Sequence, residues 1–408
     1  MPRPRALVIG GSVGGLFAAH LLRRAGWNVA VFERAAGDLG DRGTGIGTRD
    51  ELFAVMRRIG LAADASLGLG VEGRRGLDRE GRIVHELPVR AVTSAWSRIW
   101  RPLRQALPDA CYAAGKTMSR IEARVDGVSA VFDDGSRAEG DLLVAADGLH
   151  SAARAQFIPE LVPRYAGYVA WRGVVQADEL SPELHHLMFQ KMVFGFPGGE
   201  LMLSIPMPAP RGDGRACHFV WFRPVAEAAL AGLCTDQSGR RHGVSIPPPL
   251  IRPELIAALK HDADALLAPQ LTAIVKDTAQ IILQPIFDLE SPRIAFGRVA
   301  LVGDAAFVAR PHVATGVMKA AIDAESLADA LADGSDVVGA LDRYNSERQP
   351  YGASLVARGR HIGCYFTADG DPRLRVETLM REYGAAGVVR DQPIEAGRSS
   401  MTPQKFTP

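Results

Sequence analysis

Apolar and polar positions follow one another along this chain in blocks of changing period. "ALVIGGSVGGLFAAHLLRRAGWNVAVFER" opens with an apolar strand from Ala6 to Ile9, passes a glycine-rich turn, keeps helical spacing to about Ala25, stops at Gly26 and returns as a strand ending at Glu33. The pattern predicts a βαβ unit. A second unbroken apolar run, Leu142 to Ala146, ends in Asp147-Gly148 and turns through Ser151 toward a helical segment carrying Arg154. A third, "VALVG", ends at Gly303-Asp304, ahead of Arg310-Pro311-His312 and a helix predicted from about Gly316 to Leu331. Between the second and third blocks, residues 165–285 hold short alternating or apolar runs rich in aromatic and β-branched residues, with Pro197-Gly198-Gly199 as a hairpin signal. They predict an antiparallel sheet, capped by the helical segment "PPPLIRPELIAALKHDADALLAPQL". Beyond about Ala368 polar residues take over, and "EAGRSSMTPQKFTP" predicts a loose tail.

Composition narrows the class without naming a reaction. With 408 residues and 47% hydrophobic positions, the chain is long enough for two or three packed units. Its 47 basic and 46 acidic residues leave a net charge of +1, so no general field points to nucleic acid or to an anionic membrane as partner. Cys111, Cys217, Cys234 and Cys364 are far apart and lack metal-ligand spacing, which predicts thiols in a reducing compartment and no metal site. The first strand starts directly behind "MPRPR" and no apolar run approaches a bilayer's thickness, so the expected location is cytoplasmic.

The first turn carries the first chemistry. Gly10 suits the tight turn and Gly15 the close approach of helix to strand, with Gly11 and Gly14 beside them; Ser12 stands where a third glycine lets backbone reach a pyrophosphate. Glu33, with Arg34 after it, closes the second strand where an acid can accept hydrogen bonds from an adenosine ribose. The unit reads as an adenine-dinucleotide site, with NAD and FAD both open.

One dinucleotide turn, then D-G-x-x-S-x-x-R at Asp147 to Arg154, then G-D-A-A at Gly303, resembles the single-component FAD-dependent aromatic hydroxylases of the para-hydroxybenzoate hydroxylase fold. The resemblance runs from about Ala6 to Arg348. The stretches "ARPHVATG" and "YAGYVAWRGVV" are most similar to the dihydroxypyridine hydroxylase branch. It implies an α/β fold: a Rossmann-like FAD-binding domain (1–75, 98–165 and 285–367), an inserted antiparallel-sheet substrate domain (76–97 and 166–284), and an extension at 368–408. It also implies a reaction in which NADH or NADPH and O2 hydroxylate a small electron-rich ring through a flavin C4a-hydroperoxide. A hydroxypyridine is the expected substrate, with hydroxybenzoate- or hydroxynicotinate-type acids as alternatives. A homodimer would follow the family habit.

By the same resemblance, Asp304 would hold the ribityl chain and Asp147 would support the dinucleotide site. Pro311, Gly316, Val317 and Met318 would lie at the ring, where a helix N-terminus favours the negative charge of reduced flavin. Family members commonly carry an arginine where this chain has Trp100, for which Arg101 or Arg98 could substitute; they also have histidine at Phe307 and glycine at Ala314. His312 and Arg310 are the expected pair for ionising a ring hydroxyl, since a base or cation beside it lowers its pKa. Phe196, Met202, Ser204 and Trp221 are the expected pocket lining. A non-oxygenating flavin reductase and a dinucleotide-binding regulatory protein remain as other readings; a halogenase is disfavoured because W-x-W-x-I-P is absent.

Overall fold

The run Arg5–Ile9 becomes the centre of a parallel sheet because its side chains are buried on both faces. It pairs in parallel with Asn28–Glu33 on one side and with Leu142–Ala145 on the other, and Val299–Leu301 joins beyond that. Tyr112–Ala114 and the antiparallel Ala295–Phe296 complete six strands. The computed structural model describes residues 3–40, 44–63, 67–243, 246–332, 334, 336–366 and 376–384.

Two helices lie together on this sheet, Val13–Arg24 and Gly316–Leu331. Small residues let them approach: a Cβ at Gly14 or at Gly303 would sit 3.3 Å from the Ala320 methyl. Asp323, on the inner face of the second helix, accepts from Gly303 N at 3.2 Å and from Arg348 Nε at 3.0 Å. The turn after the third strand is thereby tied to two helices, because Arg348 comes from Val337–Gly363.

The second layer is an eight-stranded sheet. Its long centre, Arg164–Gln176, pairs antiparallel with Arg215–Pro224 and Ile281–Glu290, and Leu201–Pro208 and Met192–Gly195 follow. The hairpin forms at Pro197 to Gly199, with Glu200 N donating to Pro197 O at 2.7 Å. Arg74–Leu77 and Ile83–Leu87 close one edge. Strand parity divides its side chains: Val169, Trp171, Phe219 and Trp221 pack outward with the helices Pro253–Leu266 and Pro269–Asp277, while Ala170, Leu203, Val220 and Phe222 face the parallel-sheet unit. The fold class is the expected one.

The extension beyond 368, expected to be partly loose, contains one described helix. Val376–Glu382 is a helix with Leu379, Met380 and Tyr383 buried, pinned by Arg49 to Gly384 O at 2.7 Å, by Gly384 N to His312 O at 2.7 Å, and by Arg74 to Met380 O. Seven residues carry too little periodicity to announce a helix. The stretch "EAGRSSMTPQKFTP" lies outside the described residues.

Breaking a buried ion pair by removing one partner costs about 3–5 kcal/mol. Asp323→Ala is therefore expected to lower the denaturant midpoint sharply, and Asp323→Ala/Arg348→Met to recover part of the loss; equal midpoints for wild type and single variant would contradict this role.

Candidate active site and cofactor cleft

A cleft of about 1540 Å³ opens where the parallel strands end. At one end it is lined by Ser12, Val13 and Gly14, in the middle by Gly148, Asp304, Gly316 and Val317, and at the far end by Arg172, His218 and Gln284 of the antiparallel sheet. A smaller cavity of about 350 Å³ shares Ser12, Ala146 and Gly148 with it and adds Gly10, Glu33, Arg34 and Asp147.

The first turn needs its glycines. Gly10 has φ +108°, and a Cβ there would lie 2.3 Å from Ala146 O; one at Gly15 would lie 1.9 Å from Gly10 O. Glu33 is buried and accepts from Gly11 N at 2.7 Å and Ala35 N at 2.8 Å, so it braces the turn whose cavity it lines. Trp100 Nε1 donates to Gly11 O at 2.9 Å, which gives the tryptophan its own task in this turn.

The second loop is a clamp. Asp147 Oδ2 accepts from Ala152 N at 2.8 Å, and Ser151 Oγ accepts from Arg154 N at 2.9 Å, capping the helix Ala152–Phe157. Arg154 then donates to Leu149 O at 2.6 Å and across to Ala305 O at 3.0 Å, joining the second loop to the third. Burial pushes the Asp147 carboxyl up from its ordinary range, and its Oδ1 has no hydrogen-bond partner among the described residues.

In the third loop the Asp304 carboxylate is 55% exposed into the cleft, with Lys319 Nζ 4.0 Å away. Ala314 adopts a left-handed φ of 50° just before the helix Gly316–Leu331. That helix begins without a side-chain cap and without an acid in its first turn, and so does Val13–Arg24. Thr315 Oγ1, buried at the start, also lacks a partner among the described residues. Two uncapped N-termini, an exposed carboxylate and an orphaned hydroxyl along one groove fit FAD, which carries a diphosphate, a neutral polyol and a ring that becomes anionic on reduction.

Of the expected catalytic pair, Arg310 lines the cleft and His312 does not. His312 is 0% exposed; its Nε2 is hydrogen-bonded to Tyr168 Oη at 2.6 Å, and its ring packs on Phe222. Arg310 is drawn back to Asp288, both contacts at 2.9 Å, and lies over the Tyr168 ring. The 3₁₀ turn Pro311–Val313 turns the His312 ring inward, while Arg310, Pro311 and Val313 line the wall. Met202 and Trp221 lie on the outer face of the sheet, Trp221 Nε1 donating to Glu200 at 2.7 Å; Ser204, of the same strand parity as Met202, and Phe196, beside Phe194 and Tyr365, are also off the cleft lining. Arg101 donates to Gly40 O at 3.1 Å, and Met318 is core, so neither side chain lines either cavity.

The residues that do face the far end were missed. They are Arg172, His218, Arg74 and Tyr383. Burial, then Arg172, hold the His218 imidazole well below its ordinary pKa; burial brings Arg74 down to about 10 and pushes Tyr383 up to about 12. The available signal was a polar residue inside an apolar strand, in "YVAWRGVV" and "CHFVWF".

Known proteins agree with this geometry. Two family profiles match, one described as FAD binding domain-like over residues 165–288 and one as FAD binding domain over residues 277–359. The chain is 29% identical to 2,6-dihydroxypyridine 3-monooxygenase of Paenarthrobacter nicotinovorans over 85% of this chain and 88% of that one. It is 32% identical to FAD-dependent urate hydroxylase of Klebsiella oxytoca over 87% and 88%. The solved structure of 2,6-dihydroxypyridine-3-hydroxylase from Arthrobacter nicotinovorans superimposes with a TM-score of 0.85 at 28% identity, covering 91% of this chain and 94% of that one. Fold, cleft and matches define a flavoprotein monooxygenase. The chain belongs to the FAD-dependent aromatic hydroxylases of the para-hydroxybenzoate hydroxylase fold.

Burial, first of all, also holds His312 well below its ordinary value, with Arg310 and Arg172 adding to the effect. The buried His218 and His312 are neutral when folded, whereas the unfolded chain takes up protons below about pH 6.5. Their contribution is complete above that pH and falls as pH drops toward the folded values, by up to about 1.4 kcal/mol per pH unit for each. His312→Gln is expected to flatten the stability profile between about pH 6.5 and 5, read from denaturant midpoints; an unchanged slope would mean that His312 is protonated in the fold.

Proposed function

We propose that this FAD-dependent monooxygenase hydroxylates a small electron-rich N-heteroaromatic ring, a hydroxypyridine, at the expense of NADH or NADPH and O2. The observation that carries this reading is the single cleft running from the dinucleotide turn past Asp304 and Gly316 to a polar patch on the antiparallel sheet. The whole-length likeness to a dihydroxypyridine monooxygenase supports the substrate class.

FAD, when bound, supplies the reactivity toward O2 that ring hydroxylation requires. The chain's residues would do the rest. The Gly10 to Ser12 turn and the start of Val13–Arg24 would take the diphosphate, Glu33 the adenosine and Asp304 the polyol, while the amides of Gly316 and Val317 would face the ring. Met192, Ile205, Val220 and Ile282 give the far end an apolar wall that keeps water from the reacting centre. Arg310 and His312 act behind it, through Asp288 and Tyr168, by fixing the loop between Asp304 and Gly316.

The purified protein should be yellow, and 2,6-dihydroxypyridine should stimulate NAD(P)H oxidation with matching O2 uptake and a ring-hydroxylated product. Stimulated oxidation without any oxygenated product, across hydroxypyridines and hydroxybenzoates, would overturn the reading in favour of a reductase. Asp304→Ala should weaken FAD binding about 10- to 100-fold by equilibrium dialysis, the range for losing a charge-assisted hydrogen bond.

A further inference from the structure

Resting on that reading, we propose that Arg172, with His218 beside it, is the specificity-determining pair of this chain and receives the anionic oxygen of a ring substrate that binds as a monoanion. The two side chains come from paired strands. Register sets Arg172 opposite Val220 and His218 opposite Val174, so they are diagonal neighbours on the face that lines the cleft.

Arg172 is a half-buried guanidinium with little to hold. Among the described residues its one hydrogen bond is a 3.5 Å contact from NH1 to Thr44 Oγ1, its Nε has no partner, and no carboxylate lies within 4.0 Å. The other interior arginines differ: Arg154 is bonded to two carbonyls, Arg310 to Asp288 and Arg348 to Asp323. A buried cation without a counter-ion costs stability, and a sequence that keeps one gains when an anion arrives. Arg49 and Arg74 also line the cleft but spend donors on the carbonyls of Gly384 and Met380.

His218 is 1% exposed, and neither ring nitrogen has a hydrogen-bond partner among the described residues. The roof strand Gly45–Thr48 presses on it: a Cβ at Gly45 would lie 2.8 Å from His218 Nδ1 and 3.1 Å from Met207 Sδ. Burial and the Arg172 charge keep this imidazole neutral, so it offers one donor and one acceptor. A planar fork of N–H groups beside a neutral donor and acceptor matches a ring whose ionised oxygen neighbours a hydroxyl or ring N–H. Met192, Ile205 and Ile282 around the pair contribute only apolar surface.

The test titrates the oxidised, FAD-loaded enzyme without NAD(P)H, so that binding is read without turnover. Three probes are used: 2,6-dihydroxypyridine as an ionisable hydroxyl, 6-hydroxynicotinate as a carboxylate, and 2,6-dimethoxypyridine as a neutral ring. Arg172→Met should raise the Kd of an anionic probe about 10- to 100-fold and leave that of the neutral ring unchanged. Arg172→Lys, which keeps the charge and loses the fork, should fall between wild type and Arg172→Met. A loss limited to dihydroxypyridine assigns the site to an ionised hydroxyl, and one limited to hydroxynicotinate assigns it to a carboxylate. The inference is overturned if both anions bind wild type and variants alike, if neutral and anionic probes lose equally, or if FAD-loaded wild type binds neither anion. A wild-type protein that takes up no FAD overturns the monooxygenase reading first, and this inference with it.

Discussion

Ala146 N donates to Ile9 O at 2.7 Å and Val302 N to Ala145 O at 2.9 Å, carrying the parallel ladder one residue past each strand. Those two bonds set the first, second and third loops side by side at one edge of the sheet. Gly10, Asp147 and Gly303, far apart in sequence, leave the sheet there, and two helices start just beyond. The carboxyl edge of a parallel sheet is where backbone amides are left free to meet a ligand. Every cofactor contact proposed above depends on that convergence. Arg154 then locks it, because its bond to Ala305 O prevents the second and third loops from separating.

The two walls of the cleft treat charge in opposite ways. On the cofactor side Asp323 gathers Gly303, Arg348 and the buried Lys319, a charge-paired network that holds the Asp304 loop. On the substrate side, among the described residues, Arg172 is left with a single long contact and His218 with none. Paired charges make a rigid frame, whereas an unpaired one is costly until a ligand completes it. The cofactor side thus has the character of a scaffold, and the substrate side that of a receptor.

Sequence reasoning reached the frame more readily than the receptor, for physical reasons. The parallel strands are buried on both faces and end at Gly10, Asp147 and Gly303-Asp304, a combination of apolar run and turn chemistry visible without coordinates. The antiparallel sheet is also apolar on both faces, so its alternation does not say which parity meets the cleft. Met202, Ser204 and Trp221 stand one residue out of phase with Ile205 and Val220, which line the cleft, the smallest shift a strand allows. Arg172 and His218 broke the apolar pattern on the correct face. Tyr383 was hidden differently, directly after a seven-residue helix held by distant partners and not by its own periodicity.

The run Arg310-Pro311-His312 is held by backbone geometry between the cofactor and substrate ends of the cleft. Proline at the start of the 3₁₀ turn fixes the direction of the chain, and Ala314 at φ 50° redirects it into the helix Gly316–Leu331. Around those two constraints Arg310, on the cleft wall, reaches back to Asp288, and His312 turns inward to Tyr168. What His312 offers toward the site is its backbone, since His312 O accepts from Gly384 N and thereby seats Tyr383 at the substrate end, where its hydroxyl shares the electrostatic environment of Arg172 and Arg74. Phe307, which replaces the family's histidine, packs its ring on Gly352, where a Cβ would lie 2.1 Å from it, so that departure is matched by a helix built to receive it. The segment between Asp304 and Gly316 is thus a hinge of fixed angles, and it links the cofactor's helix to the residues that close the substrate end.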